Sequence, residues 1–388
     1  MNISSLPLSL YIHLPWCVRK CPYCDFNSHA LRGDIAETSY VDALLRDLDV
    51  DAPLVEGRTV ETIFFGGGTP SLFSPAAIAR LLDGVRQRVV LADDAEITLE
   101  ANPGTVELAR FRGFRDAGIN RLSIGIQSFD DTKLRALGRI HGRAESLKAA
   151  EAARAAGFNN FNLDLMVGLP EQTVEQALDD VKTAIALRPT HLSVYQLTLE
   201  PNTLFHAQPP ALPDDHVIDA MHEAFIPVLT HAGFAPYEVS AYAQAGAQCR
   251  HNRNYWEFAD YLGIGAGAHA KISSGAGITR FSKTRHPDAF VTQAGSDAAR
   301  VNARRLGADD IAFEFLLNAL RLHDGFAREL FAQRTGLPLA HIAAPLTMAC
   351  AQGLLQDDGL RIYPSARGRR FLNDLLLLFL PNQTSADA

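Results

Sequence analysis

Apolar positions along this chain switch repeatedly between two periods. Short continuous or alternating apolar runs predict strands at Leu8–Leu14, Val60–Phe65, Glu96–Ala101, Arg121–Ile126, Phe161–Val167 and His191–Leu199. Between them, apolar residues spaced three and four apart predict helices. These cover Ile35–Val50 (through Tyr40, Ala43, Leu44 and Leu48), Pro75–Val90, Thr105–Ala117 closing at Gly118, Ala144–Ala156 closing at Gly157, Glu171–Leu187 ahead of Pro189, and Asp214–Ala232. Six consecutive strand–helix units predict a parallel sheet with helices outside it. Eight would close a full barrel; six predict an open, partial (β/α)6 barrel of TIM-like type. Its reactive edge would lie at the C-terminal ends of the strands.

From about Val301 the pattern changes. Helices are predicted at Ala308–Leu320, Phe326–Arg334 and Leu346–Gln352, a hairpin at Leu354–Tyr363 around Asp357-Asp358-Gly359, and a last helix from Arg367. Three helices and a β-wing predict a small winged-helix-like domain over 301–388, following a larger unit over 1–300. The basic cluster Arg361, Arg367, Arg369 and Arg370 reads as a solvated face.

At 388 residues and 47% hydrophobic, the chain can bury a full core. A formal net charge of -8 argues against a nucleic-acid partner. Five cysteines, three of them clustered, do not form a disulfide framework, so a reducing, cytoplasmic setting is expected. Residues Met1–Leu14 lack the basic start and continuous apolar core of a signal peptide. No apolar run approaches spanning length, which leaves at most peripheral membrane contact; Leu375–Leu380 is the longest candidate and is expected to pack a final helix.

The densest chemistry lies in YIHLPWCVRKCPYCDF, Tyr11 to Phe26. Cys17, Cys21 and Cys24 follow a C-x-x-x-C-x-x-C spacing just past the first strand. Three thiolates in one tight loop call for a metal, and they leave one coordination position without a cysteine. His13 or His29 would close a zinc site, although this spacing is not that of a zinc knuckle. Gly66-Gly67-Gly68-Thr69-Pro70 follows the second strand, where glycines permit close approach of a ligand to the backbone. It lacks the Lys-Ser/Thr ending of a nucleotide loop. Glu100, Gln127 and Asp164 fall at or near the ends of the third, fourth and fifth strands. A carboxylate such as Asp164, inside the run Leu163–Val167, is costly to bury unless it binds something or is hydrogen-bonded. Together the three would line one edge of a barrel.

The cysteine loop, with Tyr23 as the aromatic before its last cysteine, resembles the cluster loop of the radical S-adenosylmethionine (SAM) superfamily. The resemblance implies the partial barrel, a [4Fe-4S] cluster on Cys17, Cys21 and Cys24, and SAM on the fourth iron, where the cluster passes one electron to the sulfonium. It implies that Gly67, Gly68 and Thr69 take the methionine amino group. Tyr11, Glu100, Gln127, Arg139 and Asp164 match further SAM-contacting positions, with Asp164 suited to ribose hydroxyls and Arg139, read as an exposed helix-flanking residue, to a carboxylate.

Within the superfamily, YIHLPWC, FFGGGTPSL, TLEANPGT, LSIGIQSF, FNLDLMVGLPEQT and SVYQL resemble, in order, the oxygen-independent coproporphyrinogen III oxidase group. That enzyme has a fourth cysteine where this chain has Phe26, and a long N-terminal extension that is not found here. Both departures turn the expectation away from oxidative decarboxylation of a porphyrinogen, which stands as the alternative. His251-Asn252-Arg253-Asn254-Tyr255-Trp256 resembles the HNxxYW signature of the heme chaperones in the same group. The resemblance implies heme bound through His251 and an acceptor protein that receives it; a homodimer is a separate expectation. Gly263–Gly267 has the glycine count of a dinucleotide fingerprint but not its setting, and reads as a turn near the cofactor.

Overall fold

The computed structural model describes residues 6–105 and 107–381. Its centre is a 12-stranded sheet. Strand β1 (Leu8–Leu14) is buried along nearly all its length and pairs in parallel with β2 (Thr59–Gly67). Parallel pairing continues through β3 (Val90–Ala101), β4 (Arg121–Gln127), β5 (Phe161–Val167) and β6 (His191–Gln196). The connecting helices are α1 (Glu37–Asp51), α2 (Pro75–Arg86), α3 (Leu108–Ala117), α4 (Arg143–Ala155) and α5 (Val174–Ala186). Helix α6 (Asp215–His231) then leads to two short antiparallel strands, β7 (Ala235–Glu238) and β8 (Ala241–Ala243), beyond β6. The alternation of periods thus gives the parallel, open barrel that it predicts.

Three boundaries differ from the sequence reading. Helix α2 stops at Arg86, and Val90 opens β3, where it pairs with Thr59. The β-branched pair Val89-Val90 loses less side-chain freedom in a strand than in a helix. Helix α3 starts at Leu108, because Pro103–Thr105 forms a separate 3-10 turn. Phe326–Ala327 joins a strand, and the helix there runs over Arg328–Thr335 to a left-handed Gly336.

The largest difference lies on the other side of β1. After helix α7 (Arg250–Trp256), strand β9 (Asp260–Ile264) pairs in parallel with β1. Strands β10 (His269–Ser274), β11 (Gly277–Lys283) and β12 (Arg300–Arg305) then extend the sheet antiparallel. Gly263 and Ile264 belong to β9; the turn begins at Gly265, which has a φ of 102°. A Cβ on Gly263 would lie 1.9 Å from the His269 carbonyl oxygen, so its glycine is a packing requirement and not a nucleotide fingerprint.

Buried charges fasten this extension to the barrel. Lys283 Nζ lies 2.6 Å from Asp47 Oδ1 and 2.8 Å from Asp51 Oδ2, both carboxylates being on α1. Arg300 closes on Asp51 at 2.7 Å, while Asp260 is held between Arg58 (2.8 Å) and Lys271 (2.9 Å). Burial pushes the Asp47 carboxyl up to about 6 even though Lys283 pulls it down. The ammonium therefore compensates a cost that its removal would expose.

The C-terminal part has its own apolar cluster around Phe315, on α8 (Ala308–Ala319), with Phe326 and Phe331 edge-on to it. Its three-stranded antiparallel sheet gives the predicted wing. Leu375, Leu376 and Phe379 pack into that cluster. No helix among the described residues is long and apolar enough to cross a membrane.

Replacing Lys283 by Met would leave Asp47 and part of Asp51 buried without their shared cation. Urea unfolding of Lys283→Met at neutral pH is expected to show a loss of about 3–5 kcal/mol; an unchanged midpoint would refute the fastening role.

Candidate functional site

Along the parallel strands the usual alternation is inverted. Apolar residues such as Leu122, Ile124, Leu163 and Leu165 join the core beneath the helices, while Arg121, Ser123, Gly125 and Gln127 of β4 face a central cavity. Asn162 and Asp164 of β5, with His191, Ser193 and Tyr195 of β6, do the same. The cavity has a volume of about 550 Å3, within the range of small-molecule sites. The cysteine loop forms its upper rim.

Little of that loop is regular structure. Trp16–Cys17 pairs with His29–Ala30 in a two-residue ribbon, and the remainder is held by its neighbours. Gly68 N–H donates to Leu14 O and Thr69 N–H to Trp16 O, at 2.9 and 2.7 Å. The Asn27 side-chain amide donates to Ala266 O and Arg285 O, while the Asn27 backbone carbonyl oxygen is 2.9 Å from His13 Nε2. The glycine run serves this packing. A Cβ on Gly67 would lie 2.5 Å from the His13 ring, and one on Gly68 2.4 Å from Trp16 O. The glycines therefore bring the strand end against the cysteine loop, and Gly67 and Gly68 also line the cavity.

Cys17, Cys21 and Cys24 are half-buried free thiols, and each has a polar neighbour of its own. Thr69 Oγ1 donates to Cys17 Sγ at 3.5 Å, Arg139 Nη1 to Cys21 Sγ at 3.6 Å, and Ser28 Oγ lies 3.7 Å from Cys24 Sγ. Burial raises the pKa of Cys17 and Cys24, so a positive centre is needed to bring them to thiolates at neutral pH. Among the described residues no three His, Cys, Asp or Glu side chains converge as ligands of a single ion. A cubane does not ask for that convergence, because its thiolates bind separate irons. The residues fit a cluster: three thiols, each with a donor that would remain hydrogen-bonded to the bound sulfur.

Arg139 is not the exposed residue expected. It is half-buried, and Nη2 donates to Gly125 O at 2.9 Å while Nη1 lies 3.5 Å from Tyr23 OH. Tyr23 also packs on Phe205, which fixes the far end of the loop.

The carboxylates come together as predicted. Glu100 Oε2 accepts from Gly67 N–H at 3.3 Å, and its pKa is pushed up to about 8 by burial and then by the charge of Asp164. Asp164 accepts from Asn162 Nδ2 at 2.7 Å and Ser123 Oγ at 3.2 Å; burial raises its pKa too. Tyr11 OH bonds His13 Nδ1 at 3.0 Å. Gln127 lines the cavity from a β-bulge at a φ of 70°, a conformation that non-glycine residues seldom hold away from functional sites.

His251, the expected heme ligand, is among the residues that line the cavity. It lies at the cavity floor, 1% exposed, with Nδ1 2.7 Å from Thr62 Oγ1 and Nε2 2.8 Å from Tyr255 OH. Both ring nitrogens are engaged, so iron ligation by this ring would have to displace a hydrogen-bond partner. Glu96 accepts from the His251 N–H and the Arg250 N–H and holds the start of α7 in place. Ser123, Asn162, Ser28 and Arg121 are site residues that motif reading missed. Polar residues at every second position of Arg121–Gln127, Phe161–Val167 and His191–Gln196 are the signal that would have found all but Ser28.

The chain matches the family profile of the radical SAM superfamily over residues 11–184 and that of the HemN C-terminal domain over 306–371. It is 53% identical to a protein of Escherichia coli (strain K12) named heme chaperone HemW, over 96% of this chain and 98% of that one. The Haemophilus influenzae protein of the same name is 48% identical, over 97% and 99%. Among solved structures, coproporphyrinogen III oxidase (HemN) from Escherichia coli, described as a radical SAM enzyme, superposes with a TM-score of 0.81 at 27% identity, covering 96% of this chain and 90% of that one.

Glu100 binds a proton in the folded protein over the range between its ordinary value of 4.5 and about 8. Its contribution to stability is therefore complete below the lower value and lost as pH rises through the upper one. The urea midpoint of the ligand-free protein is expected to fall between about pH 5 and about pH 9, and to fall less in Glu100→Gln. Equal slopes in the two proteins would overturn the assignment.

Proposed function

The chain belongs to the heme chaperone HemW family of radical SAM proteins, and from that membership we propose that it binds heme and hands it to an acceptor protein. A [4Fe-4S] cluster on Cys17, Cys21 and Cys24, with SAM beside it, completes the proposal. The observation that carries the cofactor part is the donor arrangement at the rim: three free thiols, each with its own polar neighbour, facing two carboxylates across the cavity.

The cluster, when bound, supplies a low-potential electron to SAM. The chain's own residues do the rest. The Thr69 hydroxyl and the Arg139 guanidinium stay bonded to sulfur, withdrawing charge from it, which raises the reduction potential. Glu100, anchored by the Gly67 N–H, would present its carboxyl group to the amino group of the methionine moiety. Asp164, already oriented by Asn162 and Ser123, keeps lone pairs for ribose hydroxyls. Tyr11 and Gln127 close the cavity wall, and Tyr23 holds the loop against Phe205.

The overall similarity to coproporphyrinogen III oxidase favours a second reading, a radical SAM enzyme acting on a porphyrinogen. Phe26, 60% exposed on the cysteine loop, stands where that enzyme's fourth cysteine would be, and it weighs against this reading.

Anaerobic heme titration of cluster-reconstituted protein, followed by the Soret band, is expected to saturate near one heme per chain, with transfer to an apo acceptor. Decarboxylation of coproporphyrinogen without saturable heme binding would overturn the chaperone reading. Cys17→Ala, Cys21→Ala and Cys24→Ala are each expected to lose cluster iron and sulfide; full content in all three would refute the ligand assignment. Because Glu100 holds a proton in the ligand-free protein up to about pH 8 and would ionise to accept from the SAM amino group, SAM binding is expected to release about one proton below about pH 8. Calorimetry in buffers of different ionisation enthalpy checks this, and no buffer dependence would contradict it.

A further inference from the structure

A second cavity, of about 750 Å3, lies between the cysteine loop and the antiparallel extension of the sheet. Tyr11, Asp25, Phe26, Gly67, Glu100 and Tyr255 border both cavities, so the two chambers adjoin at the rim. Register places its wall on one face of the extension. Tyr261 pairs with Lys271, Lys271 with Arg280, and His269 with Ser282, so these side chains stand on the same side. Phe26 faces them from the cysteine loop, the aromatic end of α7 supplies Tyr255 and Trp256, and Leu317 of α8 adds an exposed apolar edge.

Three groups here have no use within the protein. The His269 ring is exposed and makes no hydrogen bond among the described residues. The Trp256 indole N–H is buried without an acceptor, although the ring stacks on Arg321. Arg285 exposes a guanidinium without a carboxylate partner among the described residues, its backbone carbonyl being the part that binds Asn27. Lys271 and Arg280, by contrast, are engaged, with Asp260 and with Glu314 and Tyr261. Burial, then the charges of Arg280 and Arg285, lower the His269 pKa and keep the ring neutral with a lone pair for a metal.

We infer that this side cavity is the heme seat, with His269 as an axial ligand of the iron and Arg285 meeting a propionate. The assignment rests on the heme-binding reading above. A planar, dianionic iron tetrapyrrole asks for a free imidazole, aromatic faces and a cationic rim, and the cavity offers all three. It also explains why His251 can spend both nitrogens inside the barrel. The cargo would lie against Phe26 of the cysteine loop and against the C-terminal part of the chain, which reaches the surface.

The test is an anaerobic titration of the cluster-reconstituted full chain with heme and, separately, with metal-free protoporphyrin. His269→Ala is expected to weaken heme binding by about tenfold or more, to change the iron ligand-field bands, and to recover the wild-type spectrum when imidazole is added. Its affinity for the metal-free ring should stay that of the wild type. Arg285→Glu should weaken both ligands. Wild-type heme affinity and spectrum in His269→Ala would overturn this seat and leave the chaperone reading standing. Absence of saturable heme binding in the wild type would overturn both.

Discussion

The cysteine loop cannot hold itself. Between Pro15 and Asn27 its regular structure is a two-residue ribbon, so the positions of three thiols depend on contacts made by other parts of the fold. Gly67 and Gly68 bring β2 against it, Asn27 ties it to the turn after β9, and Pro22 is clamped by Phe205 N–H and by Gly138. The barrel, the β9–β12 extension and the β6 loop all converge there. A site whose ligands lie on a loop gains precision only when rigid elements surround it, and here the surroundings are supplied from at least three directions.

Much of this was legible in the sequence. Two alternating periods are enough to read six parallel strands, and the cysteine spacing with the strand-end carboxylates is enough to place the rim of the cavity. The extension β9–β12 was not legible, because its first strand carries Asp260, Gly263 and a following run of glycines, which read as a turn. Asp260 is tolerable only because Arg58, 202 positions earlier, and Lys271 meet it in the fold. Arg139 was misjudged for a related reason: its acceptors, Gly125 O and Cys21, lie 14 and 118 positions away. Short-range pattern carries little trace of such pairings. His251 was the converse case, in which a motif named the residue but its neighbours Thr62 and Tyr255 had already occupied both of its nitrogens.

The two carboxylates of the cavity express one design tension. Asp164 lies close enough to Glu100 for its charge to raise the proton affinity of Glu100, and burial disfavours charge on both. Asp164 is compensated by amide and hydroxyl donors, whereas Glu100 has a single long bond from Gly67 N–H. Such a pair suits a ligand that carries positive charge at one end and hydroxyls at the other, and it makes the empty cavity less stable than the filled one.

Helix α7 has a further consequence. With Glu96 gripping its first turn and His251 wedged under Phe64, it stoppers the barrel from below. The central cavity is therefore closed beneath and opens at its rim, where the cysteine loop and the side cavity border it. Traffic through a one-ended vessel is ordered: whatever lies deepest must arrive first and depart last. Residence time at the bottom is then governed by whatever occupies the rim.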